Sequence, residues 1–154
     1  MEFLSAIEQL APVRALRISF YAYPLVNAAH ILSIGVLLTG VLLMDMRILG
    51  FLQAQPLQSF LHLMRRVALL AFGGAVLTGA SLFSIRASEY VFNPAFQLKM
   101  LLIAFAGLNL LILHLTASDA DGMPLAKRGA RWFATFSILL WIGVLVCGRF
   151  IGFL

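Results

Sequence analysis

Charged residues are scarce in this chain of 154 residues. Asp, Glu, Lys and Arg together make up 11% of it, whereas soluble domains average about 25%. Polar faces at a 3.6-residue period are missing too, because segments 103–115 and 138–147 are apolar around the whole helix. A water-soluble fold is therefore excluded, and we expect membrane lipid to be the main partner.

Other absences narrow the function classes. The single cysteine, Cys147, excludes an internal disulfide. The chain has no P-loop, HExxH or hydrolase elbow. Its apolar runs contain no Asp or Glu, which argues against a proton-coupled transporter or a channel with an acidic ring.

Long hydrophobic runs dominate what remains. Each run approaches the roughly 20 residues that a helix needs to cross a bilayer core. We therefore predict an all-α integral membrane four-helix bundle that forms a single domain over residues 1–154, with both termini on one side. An interfacial amphipathic helix is expected within residues 1–19, with Ser5 and Glu8 as a capping box. The predicted spans are about 20–44, 59–84, 94–118 and 132–152.

Basic residues lie mainly at the ends of the runs, where anionic headgroups would meet them. This placement argues against nucleic-acid binding despite a net charge of +5. Six bases fall on the side away from the termini, called side B, and five on side A, which holds the termini. The positive-inside rule then predicts that side B is cytoplasmic. Side B has Arg47, Arg65, Arg66, Lys127, Arg128 and Arg131, and side A has Arg14, Arg17, Arg86, Lys99 and Arg149.

Three histidines, His30, His62 and His114, fall one to a helix within or beside the spans. A rise of about 1.5 Å per residue places His62 and His114 at one level near side B. Two histidines at one height on different helices could hold haem b between them, and an antiparallel hairpin would bring this pair together. Arg65 and Arg66 could then pair with propionates. The alternative is that His62 contacts headgroups and His114 ends its helix.

His30 lies about 4 Å from the expected midplane by the same rise. A polar group at this depth usually faces the bundle interior, and Asn27 precedes it on the same helical face. His30 is therefore a candidate cofactor ligand, quinone site or proton-handling group. The alternative is a structural histidine that is hydrogen bonded to Asn27 or Asn109.

Lys99 comes early in the third span, after the helix-start pair Asn93 and Pro94. Its spacing to His114 could direct both side chains to the same interior. The alternative is an anchor whose amine reaches the interface, which is the commoner use of a lysine near a helix start.

Several strings resemble a family of uncharacterised bacterial four-helix inner-membrane proteins. The chain also resembles, more distantly, the copper-resistance D type and the haem-binding membrane protoporphyrinogen oxidases. The strings are YPLVNAAH at 23–30, DMR at 45–47, and NPAFQLK at 93–99 with Asn109 and His114.

That likeness implies a bacterial inner-membrane protein with a haem b bundle, and the positive-inside rule predicts that its termini are periplasmic. Its functional positions would be His30, Lys99 and a histidine of the third span. In the oxidase-like pattern, the third-span histidine falls where this chain has Asn109, and His114 lies five residues further on. Oxidase activity is therefore not carried over.

We expect a haem b protein of electron-transfer or oxidoreductase type that exchanges electrons with quinol. The predicted ligands are His62 and His114, and His30 is a second ligand or a quinone or proton site. The alternative is a cofactor-free accessory or scaffold subunit that packs against other membrane subunits or its own copies. A metal-ion permease that uses the three histidines ranks last, because His30 is separated in depth from the other two.

Overall fold

The computed structural model describes residues 2–118 and 127–153, with the side chains of residues 4–112 and 129–153. The described part of the chain forms seven helices and no strand. The helices are α1 (Glu2–Glu8), α2 (Ala11–Ile18), α3 (Ala22–Leu49), α4 (Leu57–Ile85), α5 (Ala87–Phe92), α6 (Pro94–Ser118) and α7 (Lys127–Phe150). Four of them, α3, α4, α6 and α7, are long and apolar enough to cross a membrane. The prediction of an all-α, multi-pass four-helix membrane bundle is confirmed.

The segment before the first span contains two short helices. Pro12 lies in the first turn of α2, where its missing N–H costs no hydrogen bond. The predicted capping box is wrong, because α1 begins at Glu2 and Ser5 lies inside it. Glu8 instead accepts hydrogen bonds from the Ser88 backbone N–H and hydroxyl, at 2.9 and 2.7 Å. This contact joins α1 to α5.

Helix α3 is longer than the predicted first span. It continues beyond residue 44 to Leu49, because Asp45 and Arg47 do not break a helix. The helix ends at Gly50, whose φ of 105° lies in the left-handed region that favours glycine. The five additional residues bring Asp45 inside the helix.

The connection between α4 and α6 contains α5, a helix that the sequence did not predict. Tyr90 of α5 forms a stack with Phe83 and Phe96, from the two adjoining helices. The predicted start of the third span is confirmed, since the Asn93 side-chain oxygen accepts the backbone N–H groups of Ala95 and Phe96. Stacking and capping thus hold this connection against the bundle.

The four long helices pack in the order α4, α3, α7, α6. Helix α3 contacts both α4 and α7, and α6 packs on α7. Among the described residues, the backbones of α4 and α6 do not pack closely, and these two helices meet through the stacked rings of Phe83 and Phe96 beside α5. The closely packed hairpin expected for the second and third spans is therefore not formed, and α5 separates the two helices along the chain. Many large apolar side chains point outward, as expected for helices in lipid.

Candidate functional site

His30 makes a polar contact across the interface between α3 and α4. Its Nδ1 lies 2.9 Å from the Thr78 Oγ1, and the Thr78 hydroxyl donates to the Gly74 carbonyl at 2.6 Å. Since the single hydroxyl proton is used by Gly74, we infer that the threonine oxygen accepts the proton of Nδ1. On this ground we assign the proton of neutral His30 to Nδ1 and its lone pair to Nε2.

Glycines on α4 allow this close approach. A Cβ at Gly79 would lie 2.9 Å from the His30 Cε1, and one at Gly74 would lie 2.8 Å from the Ser33 Oγ. Both distances are shorter than ordinary van der Waals contact. The His30 ring therefore lies against the α4 backbone, with Thr78 as its hydrogen-bond partner rather than the expected Asn27 or Asn109.

Asp45 carries a buried carboxyl group, although its position after the apolar run predicted that it lies outside the span. It is 6% exposed, and the Ser137 hydroxyl of α7 lies close to it. Its Oδ2 is buried and has no hydrogen-bond partner among the described residues. An incompletely bonded carboxyl in an apolar interior is costly, which makes Asp45 a candidate functional residue.

Asn109 of α6 contacts the segment of α7 that contains Ser137. Its Nδ2 donates to the Phe133 carbonyl at 3.2 Å, one helical turn before Ser137. Asn109 and Ser137 are 7% and 8% exposed. Asp45, Ser137 and Asn109 thus form a buried polar layer that crosses α3, α7 and α6, which we call the polar layer.

Lys99 points into the interface between α6 and α7. Its Nζ would lie 3.6 Å from a Cβ at Gly148, and the side chain is half-buried. The structure therefore places the aliphatic stem of Lys99 against α7 and brings its amine toward the side A half of the bundle that contains His30.

The other predicted site residues are less enclosed. His62, Arg65 and Arg66 of α4 are exposed, and the backbones of α4 and α6 do not pack closely among the described residues. The side chain of His114 lies outside the described residues. The structure thus brings His30 to Thr78 and Asn109 to Phe133, whereas the pairing of His62 with His114 stays a prediction.

Asp45 was missed because Asp45, Met46 and Arg47 look like the polar end of a span. One signal was available in the sequence: the first glycine that could end the helix after the apolar run is Gly50, and a helix that continues to Gly50 contains Asp45 more than one turn before its end.

No protein-family model, curated protein or solved structure matches this chain.

Proposed function

We propose that this protein binds haem b in its bundle and exchanges electrons with a membrane donor such as quinol, and that His30 would hold the haem. The observation that carries this proposal is the hydrogen bond from Nδ1 of His30 to Thr78. Histidines that bind a metal usually donate the other ring N–H to a fixed acceptor, which sets the tautomer and the ring orientation. Thr78 and Gly74 provide that support here.

The side chain of His30 fits the chemistry of a haem-holding residue. Imidazole is a common haem ligand, and His30 is half-buried within a candidate membrane span. When bound, haem would supply one-electron chemistry. The chain would orient Nε2 through Thr78, and Lys99 would place a hydrogen-bond donor near the same half of the bundle. His62 and His114, with Arg65 and Arg66 for propionates, would be the ligands of a second or alternative haem.

A visible spectrum and a pyridine haemochrome assay on protein purified in mild detergent test this proposal. We expect a Soret band that is lost in His30→Ala and retained in His62→Ala. The reverse result would assign the haem to the His62 and His114 pair instead. Protein that expresses with added haem precursor and still shows no Soret band would overturn the proposal.

Thr78→Val serves as a milder variant if His30→Ala does not fold. It keeps the shape of the side chain and removes the acceptor for Nδ1. Because the ligand would lose its orienting partner, we expect a shifted haem reduction potential or reduced haem content, measured by redox titration. Ser81→Ala is the matched control, since the Ser81 hydroxyl bonds only within its own helix, to Leu77.

The second candidate is a cofactor-free accessory subunit of a larger membrane assembly or of a homo-oligomer. The observation in its favour is an apolar groove of about 320 Å³ on the outer side of α6 and α7. Aromatic side chains dominate its walls, as in many helix-docking surfaces. It is lined by Phe105, Leu108, Asn109, Ile112, Trp132, Phe133 and Phe136. Copurification of a stoichiometric partner, with no haem absorbance, would favour this candidate.

A further inference from the structure

A second pocket lies at the side A end of the bundle, away from His30 and the polar layer. It has a volume of about 200 Å³. Its walls come from four helices and the junction between α4 and α5, and they combine two guanidinium groups with two phenols over an apolar floor. The lining residues are Arg17, Tyr23, Leu82, Ile85, Arg86 and Tyr90.

The lining has no acidic residue. Two carboxylates lie near the guanidiniums without lining the pocket: Glu8 accepts from Ser88 and is near enough to Arg17 for their charges to interact, and Glu89 forms a 3.4 Å ion pair with one nitrogen of Arg86. A guanidinium has five N–H donors, so this pair leaves donors of Arg86 for a ligand. Arg17 has no ion pair within the part of the chain that the structure describes.

The pocket is held in shape by contacts around it. Ser19 accepts the Ala22 backbone N–H at 3.1 Å, which sets the corner between α2 and α3. Tyr90 is fixed by stacking on Phe83 and Phe96. Burial raises the pKa of Tyr90, so its hydroxyl stays protonated at neutral pH and can donate a hydrogen bond.

The position of the pocket along the spans indicates which groups of the membrane it can contact. It lies where α3 begins and α4 ends, which is the boundary between apolar core and headgroups. Tyrosine is enriched at this level, and arginine there contacts anionic headgroups. Two guanidiniums and two phenols offer convergent donors, and phosphate oxygens accept such charge-assisted hydrogen bonds well.

We propose that Arg17, Arg86, Tyr23 and Tyr90 form a binding site for a phosphate ester. A phospholipid headgroup carries this group at the depth of the pocket, and a soluble phosphate ester would carry it from the aqueous side. The two guanidiniums bind the phosphate oxygens, the phenols donate to the same group, and Leu82 and Ile85 contact the adjoining apolar part.

Native mass spectrometry of protein released from detergent tests the lipid source. The probe is dioleoyl phosphatidylglycerol, with monoglucosyl diacylglycerol as a phosphate-free lipid. We expect one retained phosphatidylglycerol whose affinity falls about tenfold in the double variant Arg17→Gln, Arg86→Gln, because two charge-assisted interactions are lost. Arg14→Gln is the matched control, since Arg14 lies on α2 outside the pocket lining.

Glycerol 1-phosphate, titrated into the detergent-solubilised protein by calorimetry, tests the soluble source. Binding that is lost in the double variant would assign the site to soluble phosphate esters, whereas lipid binding alone would assign it to the headgroup. If the double variant does not fold, Tyr23→Phe removes one donor and is expected to weaken binding about threefold. The proposal would be overturned if neither phosphatidylglycerol nor glycerol 1-phosphate bound more weakly to the double variant than to Arg14→Gln, or, where the double variant does not fold, more weakly to Tyr23→Phe than to the unmodified protein.

Discussion

Helix α3 directs the half-buried His30 toward α4 and the buried Asp45 toward α7, and the hydrogen bonding of these two side chains differs in completeness. Toward α4, the His30 proton, the Thr78 hydroxyl and the Gly74 carbonyl form a continuous chain of hydrogen bonds. Toward α7, Asp45 faces Ser137 but keeps one oxygen without a partner among the described residues. In hydrocarbon, a missing partner cannot be replaced by water.

The difference separates two roles for buried polarity. The His30 contact stabilises the pairing of α3 with α4. It also orients the imidazole ring and therefore the direction of its nitrogen lone pair. The Asp45 contact opposes stability, and an incompletely bonded group of this kind is typical of functional positions. Of the four predictions below, the first three test whether the two interfaces differ as described, and the fourth tests the contact of α1 with α5.

The largest effect is expected where the His30 ring lies against α4. Gly79→Leu would force the ring away, because even a Cβ there would lie 2.9 Å from Cε1. We expect a loss of about 2–3 kcal/mol in the free energy of unfolding, from overpacking and the broken hydrogen bond. Unfolding by SDS in mixed micelles measures it.

Gly73→Leu is the control for this change. Gly73 precedes a glycine of the same interface, yet a Cβ there meets nothing within 4 Å. A change of less than about 0.5 kcal/mol is expected for such an exposed position. Equal losses in both variants would contradict the packing of His30 on α4.

The second prediction is a gain in the free energy of unfolding rather than a loss. Asp45→Leu removes an unsatisfied carboxyl oxygen and keeps a similar volume, and the Ser137 hydroxyl can turn to a carbonyl of its own helix. We expect the free energy of unfolding to rise by about 1 kcal/mol. The same SDS titration applies, with Asp45→Asn as the isosteric comparison. Destabilisation by Asp45→Leu would show that the carboxyl has a stabilising partner.

Thr78→Val should cost about 1 kcal/mol or less, as interhelical hydrogen bonds in membranes usually do. Its sharper measurement is ¹⁵N NMR of the labelled His30 ring. In the unmodified protein we expect the proton on Nδ1, and in Thr78→Val a mixture of the two tautomers. Ser81→Ala should leave the ring spectrum unchanged. An Nε2-protonated ring in the unmodified protein would contradict the assignment.

The smallest effect concerns the contact of α1 with α5, outside the spans. The hydrogen bonds from Ser88 hold the pKa of Glu8 below its usual value. The contact is therefore intact at neutral pH and is lost as the pH falls through this lowered pKa. Glu8→Gln should mimic acid by increasing hydrogen exchange at the Ser88 amide, whereas Glu89→Gln should not. Unchanged exchange in Glu8→Gln would contradict the contact.

Much of the fold was predictable from local composition. The four spans follow from apolar runs, because in lipid the backbone N–H and C=O groups must bond to each other, and a helix achieves this within one segment. Asn93 and Pro94 predicted the start of α6 for a similarly local reason, since the side-chain oxygen caps the adjoining N–H groups. Helix α5 was missed because its contacts come from Phe83 and Phe96, outside its own segment.

The candidate site was less predictable. Depth along each helix can be counted from the sequence, and it indicated an interior-facing His30. The partner of His30 could not be counted, because Thr78 is 48 positions away and reaches it through the pairing of α3 with α4. Asp45 was wrongly assigned to the membrane edge because the apolar run ends before the helix does.

By itself, the sequence determined that this is a multi-pass helical membrane protein with few polar groups in its spans, since hydropathy and helix signals act over neighbouring residues. Only the tertiary structure decided that α3 pairs with α4 and α7, that Thr78 sets the tautomer of His30, and that Asp45 is buried. Those outcomes depend on which helix faces meet. The small residues Gly74 and Gly79 allow α3 to approach α4 closely, and such complementarity of shape involves residues far apart in the sequence.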